Sequence, residues 1–373
     1  MVLQKIGEGK LKIYESIEDI PTKKMGAFYN PEMCFDRSLS EFIIQALQPR
    51  KVLDGMSASG VRGLRYASVL PESEVVLNEL SPDAVRLIKK NLRANRKALG
   101  TAKVRVENKN LYKILGEEMF DFIDIDPFGS PVYFLESAAR SIRNGGAVAL
   151  TATDTAALFG TSPDASLRKY GVRSLRCDFS KELGLRILIT AAIRKFAEYE
   201  IAFTPAFSYC RRHYFRVVGQ VRRGAGRADN LLNGFEYVSY CQKCGWREYG
   251  IIEKCRHCKN KTNLIGPIYT GDFASKAMCG EMLKYWWQKA KELDSKGKFI
   301  PDYTRFIRMV SEEQGYPLFY DVHWICKRNK CAIKKTETLI KELNGVKTHF
   351  LGTGIKTKKP FNELLKSLKQ KSL

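Results

Sequence analysis

An α/β fold with a mixed, mainly parallel sheet is what the sequence predicts, followed by a smaller basic region built around four regularly spaced cysteines. Three observations predict it. Short apolar runs alternate with helical patterns over residues 50–153. Each run stops at polar residues, as strands of a parallel sheet do at their carboxyl ends. Two C-x2-C pairs lie well downstream of that alternation. The chain has 373 residues, enough for two or three domains at about 100–200 residues each.

The elements follow in order. Val52-Leu53 leads into Asp54-Gly55-Met56-Ser57-Ala58-Ser59-Gly60 and then a helical segment. Val75-Val76-Leu77 ends at Asn78-Glu79. The next helix begins at Ser81-Pro82-Asp83, with Ser81 as its cap and Pro82 in the first turn. Its apolar residues Ala84, Val85, Ile88 and Leu92 recur at helical steps. Val104 and Val106 form a strand ending at Asn108-Lys109-Asn110. Residues 120–125 alternate and stop at Asp126-Pro127-Phe128-Gly129. A helix is expected over 131–143, then a Gly145-Gly146 turn into the strand 147–150. Residues 181–199 read as a helix, and 201–208 with 214–221 as a hairpin whose turn includes His213. Arg222-Arg223-Gly224-Ala225-Gly226-Arg227 reads as the boundary, giving domains 1–222 and 223–373. In the second, Ala274, Met278, Met282 and Trp286 share a helical face. Of Trp286-Trp287, one ring is expected in the core. The lysine-rich stretch from Lys356 to Lys371 reads as a solvated face or an RNA contact.

Lys and Arg outnumber Asp and Glu by 63 to 40, a net charge of +23. The excess is +9 over residues 1–222 and +14 over 223–373. A polyanionic partner, nucleic acid, accounts for this better than a lysine-rich thermophilic surface does. With 44% hydrophobic and 11% aromatic residues, a disordered tail protein is excluded. No apolar run reaches the length of about 18 residues that a membrane span needs. The N-terminus lacks the apolar core of a secretory signal, so a cytoplasmic address is expected. No obligate protein partner is evident.

Ligands of open α/β sheets bind at the carboxyl ends of the parallel strands. Asp54 to Gly60 follows the first strand, where a glycine lets backbone approach a ligand at a helix N-terminus. Glu79 comes 19 residues after Gly60, near the roughly 20-residue spacing of a ribose-binding acid. Asn108 and Asn110 end the third strand, where an adenine edge would lie. Any one of these reads equally as a plain strand-to-helix turn. As an ordered set without G-x-G-x-x-G, they point to a nucleoside cofactor lacking a pyrophosphate, S-adenosylmethionine rather than NAD. Asp126-Pro127-Phe128-Gly129 ends the fourth strand. An exocyclic amine is a weak nucleophile because its lone pair is delocalised into the base. A carboxylate and a carbonyl that accept its N–H bonds restore that nucleophilicity. Proline fixes the backbone, and an aromatic ring offers a face for the base. The competing reading is an ordinary Asp-Pro turn.

Taken together, these residues resemble the tRNA (guanine(26)-N2)-dimethyltransferase family. The resemblance runs through Phe28-Tyr29-Asn30-Pro31-Glu32-Met33, Phe35-Asp36-Arg37-Ser38, and Gly60-Val61-Arg62-Gly63-Leu64-Arg65-Tyr66-Ala67. It continues through Asp124 to Pro131, Thr151-Ala152-Thr153-Asp154, His213-Tyr214-Phe215-Arg216-Val217 and the cysteine module. It implies a class I Rossmann-like methyltransferase domain, a family-specific α+β C-terminal domain, and tRNA as partner. It implies that Arg37, Arg65, Glu79, Asn108 and Lys109 contact the cofactor alongside Asp54 and Gly60. Asp126 would be the catalytic carboxylate, and Phe28 and Phe128 walls of a guanine pocket. Asn108-Lys109-Asn110 departs from the acidic-Ala-Asn pattern of the family. Flipping of the target base is expected.

Cys241-x2-Cys244 and Cys255-x2-Cys258, ten residues apart, form a four-thiolate set suited to Zn2+ within a module over 237–270. Four thiolates leave no open position, so the zinc would be structural. Lys243, Arg247, Lys254, Arg256, Lys259 and Lys261 offset thiolate charge and are candidates for RNA contact or plain solvated surface. Cys326-x4-Cys331 lacks partners at metal spacing. The competing functions are a base-amine methyltransferase on ribosomal RNA or DNA, a zinc-containing RNA-binding protein with an inactive α/β domain, and a dehydrogenase. The matches beyond Asp126, the intact Glu79 and Asp126, and the missing pyrophosphate loop argue against each in turn.

Overall fold

The computed structural model describes residues 3–16, 29–294 and 302–369. In chain order it begins with β1 (Leu3–Glu8), β2 (Leu11–Ser16), α1 (Cys34–Leu47), β3 (Lys51–Asp54), α2 (Val61–Ala67) and β4 (Glu74–Asn78). Then come α3 (Pro82–Asn95), β5 (Lys103–Glu107), α4 (Leu111–Glu117), β6 (Phe120–Ile125), α5 (Leu135–Ser141) and β7 (Ile142–Ala152). The middle holds α6 (Thr155–Leu158), α7 (Pro163–Tyr170), α8 (Ser180–Ala197), β8 (Ile201–Arg211), β9 (Tyr214–Arg223) and α9 (Ala225–Leu232). Next are β10 (Phe235–Tyr240), β11 (Arg247–Tyr249), β12 (Asn263–Tyr269), α10 (Lys276–Asp294) and α11 (Tyr303–Glu312). The last are β13 (Tyr320–Asp321), α12 (Val322–Asn329), α13 (Thr336–Glu342), β14 (Val346–Lys347), β15 (Gly354–Lys356) and α14 (Phe361–Lys369).

The main sheet has the order β5-β4-β3-β6-β7-β9-β8. The pairs β3–β4, β4–β5, β3–β6 and β6–β7 are parallel. The chain winds one way from β3 through β4 to β5, then restarts at β6 on the other side of β3. That makes β3/β6 the topological switch point, where α/β sheets open a crevice for ligands. The sequence reading of β6 as an alternating strand needs revision. Phe122 to Ile125 are all buried, Asp124 among them, because a central parallel strand is covered on both faces.

Two compact units emerge, one of residues 1–151, 218–224 and 280–304, the other of 152–217, 225–279 and 305–373. This partition differs from a single cut at residue 222. Helix α8 and strand β8 pack on each other and group with the later residues. The stretch 222–227 is no loop either, because one residue separates β9 from α9.

In the first unit, β1 and β2 form a hairpin that the sequence reading did not foresee. The free edge of β2 is satisfied by amide side chains of α3. Asn95 exchanges two hydrogen bonds with the Lys12 backbone, both 2.8 Å. Asn91 does the same with Tyr14, at 2.7 and 3.0 Å. The expected helix over 131–143 is a 3-10 turn, Pro131–Phe134, and then α5. Strand β7 already begins at Ile142, opposite Phe120, and Gly145-Gly146 fall inside it at an irregular register.

In the second unit, the sheet β11-β10-β12 carries the cysteine turns. A buried cluster joins Cys241, Cys244, Trp246 and Cys255 to Val322, Ile325, Leu339, Leu343, Phe361, Leu364 and Leu368. Along α10, which the partition divides at residue 280, Met278, Met282 and Trp286 are buried and Trp287 is exposed, whereas Ala274, expected on the same helical face, precedes the helix and bridges Phe207.

Candidate active site and candidate metal centre

The loop from β3 to α2 is held by a bond within itself and by one to β6. Ser57 Oγ donates to Asp54 O at 2.9 Å, and Gly55 N donates to Asp124 O at 2.9 Å. Gly60 takes a φ of +80°, a left-handed conformation that suits glycine. A Cβ there would also lie 3.2 Å from the Ile88 side chain. Asp54 does not face this loop's open side. It is 1% exposed, and its Oδ2 accepts from Gly63 N at 2.9 Å, tying β3 to the first turn of α2. Burial, with Asp124 beside it, pushes its carboxyl up to about 7. The buried Ser59 hydroxyl has no hydrogen-bond partner among the described residues.

Glu79, at the end of β4, points back to that loop. Its Oε2 accepts from Ala58 N at 2.9 Å and its Oε1 from Ser81 N at 3.1 Å. Each oxygen keeps a lone pair beyond those bonds, which is what a pair of ribose hydroxyls requires. Ser81 caps α3 by accepting from Ala84 N, as predicted. Asn108 is exposed, and its amide donates to Glu79 O at 2.8 Å and Leu80 O at 2.9 Å. Lys109 turns its ammonium to Glu117 at 2.8 Å and Glu107 at 3.3 Å. Asn110 caps α4. Asn78, which the sequence reading passed over, bridges Gly55 O and Lys109 O, both at 3.1 Å. Leu80, also passed over, is 65% exposed. An apolar side chain left open directly after a ribose-type acid offers a face to an adenine ring. Of the residues expected at the strand ends, the structure brings Glu79 to the Ser57–Gly60 loop and Asn108 to Glu79, while Asp54 and Lys109 turn to protein partners. The loop and its neighbours offer an orphaned hydroxyl, a two-oxygen acceptor and an apolar face. That set fits a nucleoside cofactor.

Arg37 and Arg65 are placed differently from expectation. Both are buried and already bound by protein carboxylates. Arg37 Nε and Nη2 each reach Glu8 at 2.6 Å. Arg65 donates to Glu8 at 2.6 Å, Glu41 at 2.6 Å and Ser38 Oγ at 2.7 Å. Burial pushes the Glu8 carboxyl up, but Arg37 and Arg65 outweigh it and bring it down to about 2. Tyr29 adds a hydrogen bond to Glu8 at 2.7 Å. These two arginines fasten β1 to α1 and α2. A cofactor contact from either one requires a ligand carboxylate to share it with Glu8.

Asp126 lies just past β6 at the switch point. Its Oδ2 accepts from Arg62 Nη2 at 2.5 Å, and its side chain is 23% exposed. Phe128 is 50% exposed, and Gly129 adopts a φ of +107° that lets the chain turn away after the ring. An exposed phenyl beside a fixed carboxylate suits a flat base bearing an amine. Phe28, the other expected wall, lies outside the described residues. Arg62, on α2, is the residue that the sequence reading missed. Besides Asp126 it reaches Asp36 at 2.6 Å and Asp124 at 3.9 Å. Its signal was a charged residue in Gly60-Val61-Arg62-Gly63, a turn otherwise made of small and apolar side chains.

The four cysteines converge. Their sulfurs all lie within 4.8 Å of one another, with Cys241–Cys258 at 3.4 Å and Cys244–Cys255 at 3.6 Å. Tetrahedral Zn2+ with Zn–S bonds of about 2.3 Å separates sulfurs by roughly 3.8 Å, so the cluster is compatible with structural zinc. The two C-x2-C turns are alike: Gly245 N donates to Cys241 O at 2.8 Å and Lys259 N to Cys255 O at 3.0 Å. Both donors have positive φ, +90° and +61°. No other group of three or more potential ligands occurs among the described residues, and Cys326 and Cys331 stand outside it. Lys243, Lys254, Arg256, Lys259 and Lys261 are exposed. Arg247 is not, which corrects its reading as an RNA contact. It pairs with Asp178 at 2.5 Å, donates to Phe319 O at 2.9 Å, and lies against the rings of Tyr320 and Phe179 at 4.1 and 4.3 Å.

A family model described as N2,N2-dimethylguanosine tRNA methyltransferase matches residues 7–369. The chain belongs to that family. A similar member is the tRNA (guanine(26)-N(2))-dimethyltransferase of Pyrococcus abyssi, 35% identical, with 97% of each chain covered. The tRNA (guanine(26)-N(2)/guanine(27)-N(2))-dimethyltransferase of Aquifex aeolicus is 34% identical, covering 98% of this chain and 95% of its own. Among solved structures, that of Trm1 from Pyrococcus horikoshii with S-adenosyl-L-methionine superposes with a TM-score of 0.84. It is 31% identical, with 99% of this chain and 100% of the other covered. Membership in the N2,N2-dimethylguanosine tRNA methyltransferase family agrees with a part-exposed carboxylate at the switch point, and with the absence of a pyrophosphate loop.

Proposed function

We propose that this protein transfers methyl groups from S-adenosylmethionine to the exocyclic N2 of guanosine 26 of tRNA, giving N2-methylguanosine and then N2,N2-dimethylguanosine. The observation that carries this is Asp126, a part-exposed carboxylate fixed at the switch point beside an exposed phenyl ring. When bound, S-adenosylmethionine supplies an electrophilic methyl group on a sulfonium. The chain's own residues do the rest. Glu79 receives the ribose hydroxyls, Leu80 covers the adenine, and the loop from Ser57 to Gly60 admits the cofactor's backbone-facing atoms. Arg37 and Arg65 fix that loop's surroundings through Glu8, and Asn108 holds the carbonyls of Glu79 and Leu80 in place.

Asp126 accepts an N–H of the guanine amine and so concentrates its lone pair toward the methyl donor. Phe128 stacks on the base, with Phe28 as the proposed second wall. N2 of a base-paired guanine faces the minor groove, so the base must leave the helical stack to reach the site. Residues 1–222 are proposed to carry this chemistry, and 223–373, with their +14 excess, to grip tRNA phosphates. A cytoplasmic address is part of the proposal. No helix among the described residues is long and apolar enough to cross a membrane.

The test is methyl transfer from labelled S-adenosylmethionine to an unmodified tRNA transcript, wild type beside Asp126→Ala, with nucleosides mapped at positions 26 and 27. Dimethylguanosine at 26 with wild type, lost in the variant while cofactor still binds, supports the reading. Cofactor binding without transfer to tRNA overturns it.

A further inference from the structure

The buried arginine next to the switch point is unusual in its company. Arg62 is 6% exposed and is shared by three aspartates. Nη1 donates to Asp36 at 2.6 Å and to Ser40 Oγ at 3.2 Å, Nη2 donates to Asp126 at 2.5 Å, and Nε lies 3.9 Å from Asp124. Asp124 is itself held by Tyr66, whose hydroxyl donates to it at 2.5 Å. The side chains of Asp36 and Asp124 are fully buried, whereas that of Asp126 is 23% exposed. Of this trio, therefore, only Asp126 opens toward a substrate. A guanidinium is rigid and planar, so fixing Nη1 on Asp36 fixes where Nη2 points, and with it the Asp126 carboxylate.

We propose that Arg62 is a positioning residue that locks the Asp126 carboxylate in one place, and that this lock is needed chiefly for the second methylation. The proposal rests on the reading of Asp126 given above. In each transfer, N2 forms a bond to the methyl carbon and the carbon–sulfur bond breaks with its electron pair left on sulfur. N2 then sheds one proton. A cationic N2 is strongly acidic, so that proton needs an acceptor such as the Asp126 carboxylate or water, not a strong base. An ion-paired carboxylate is a weak base but still a hydrogen-bond acceptor. What changes between the two transfers is geometry. Guanosine presents two N–H bonds, and a misplaced carboxylate can still find one of them. N2-methylguanosine presents a single N–H bond, beside a methyl group that fills the other position. Its acceptor must lie in one place. Arg62 supplies that requirement through Asp36, from the side of the carboxylate away from the substrate.

The experiment compares wild type, Arg62→Lys, Asp36→Asn and Asp126→Ala on full-length tRNA transcript. Mono- and dimethylated nucleosides are quantified at matched total transfer, alongside cofactor affinity and melting temperature. Misplacing a reacting group by about 1 Å costs on the order of 100-fold. Arg62→Lys, which keeps charge but not the two-ended fork, is expected to slow the second transfer by about that factor and the first by roughly 10-fold or less. N2-methylguanosine then accumulates, with cofactor affinity unchanged. Asp36→Asn leaves the Arg62–Asp126 pair in place and loosens its anchor, so it is expected to shift the product ratio in the same direction by less. A general loss of folding lowers both transfers together and does not change the ratio at matched transfer. An unchanged product ratio in Arg62→Lys and Asp36→Asn, with Asp126→Ala inactive, overturns the role of Arg62 and leaves that of Asp126 standing. Full activity in Asp126→Ala overturns the reading of Asp126 and the present proposal with it.

Discussion

Asp54 and Glu79 lie at the carboxyl ends of neighbouring strands, β3 and β4, and have different surroundings there. Asp54 is buried against Asp124 and accepts the Gly63 amide, so it serves the loop. Glu79 stays part-exposed and is the residue proposed to receive the ribose hydroxyls. The raised Asp54 carboxyl has a thermodynamic consequence. Between its ordinary value of 3.8 and about 7, the folded state holds a proton that the unfolded state has released. Stability therefore falls as pH rises through that window, by at most about 1.4 kcal/mol per pH unit, and is level above it. Asp54→Asn removes this slope. Denaturation at pH 5 and pH 8 in wild type and variant checks it: the stability difference between them should change in the variant's favour at pH 8. Glu79→Gln tests the other role. Losing a charged acceptor for two hydroxyls weakens cofactor binding by about 10- to 100-fold, read by calorimetry, with tRNA affinity unchanged.

At the scale of elements, the cysteine turns and the terminal helices form one cluster. Cys241, Cys244 and Cys255 are buried together with side chains of α12, α13 and α14, and Asn329 on α12 donates to Cys244 O at 2.8 Å. A metal that closes the four thiolates is therefore coupled to the packing of helices 64 to 128 residues further along. Cys255→Ser is expected to lose bound zinc and to lower the melting temperature, with a change in the fluorescence of Trp246 and Trp324. Cys331 packs against the same cluster from outside the thiolate set, so Cys331→Ser should keep its metal. Metal analysis of the two purified variants decides it.

The same scale explains what was legible in the sequence. The parallel units around 50–153 were, because each strand ends in polar residues and the Ser81-Pro82 cap marks a helix start. The thiolate set was, because ligand spacing is a local property. The β1–β2 hairpin was not, because its edge is satisfied by Asn91 and Asn95, about 80 residues away. Gly145-Gly146 resembled a turn because glycine marks breaks in general. The irregular pairing of β6 with β7 kept both in the strand. The roles of Arg37 and Arg62 were hidden for one shared reason. Whether a charged side chain near a helix start meets solvent, ligand or a buried carboxylate depends on tertiary partners, here Glu8 and Asp36.

For the whole molecule, the governing quantity is the net charge of +23. Lys243, Lys254, Lys259 and Lys261 cluster on the exposed turns around the thiolate set, while Arg256 is partly neutralised by Glu248 at 2.8 Å. A polyanion bound by such side chains releases condensed counterions, so its affinity falls linearly with the logarithm of salt concentration. Each phosphate neutralised on a duplex stem contributes about −0.9 to the slope of log K against log salt. Six or so contacts therefore give a slope of about −5. Replacing Lys243, Lys254, Lys259 and Lys261 together with Gln is expected to flatten that slope by about one for each lysine that contacts a phosphate. Cofactor affinity should not change. Binding of labelled tRNA at four salt concentrations, wild type beside the fourfold variant, measures the difference. A shallower slope assigns the thiolate turns to the tRNA-binding surface. An unchanged slope with normal zinc content assigns these lysines to solvated surface and moves the phosphate contacts to the other cations of the chain.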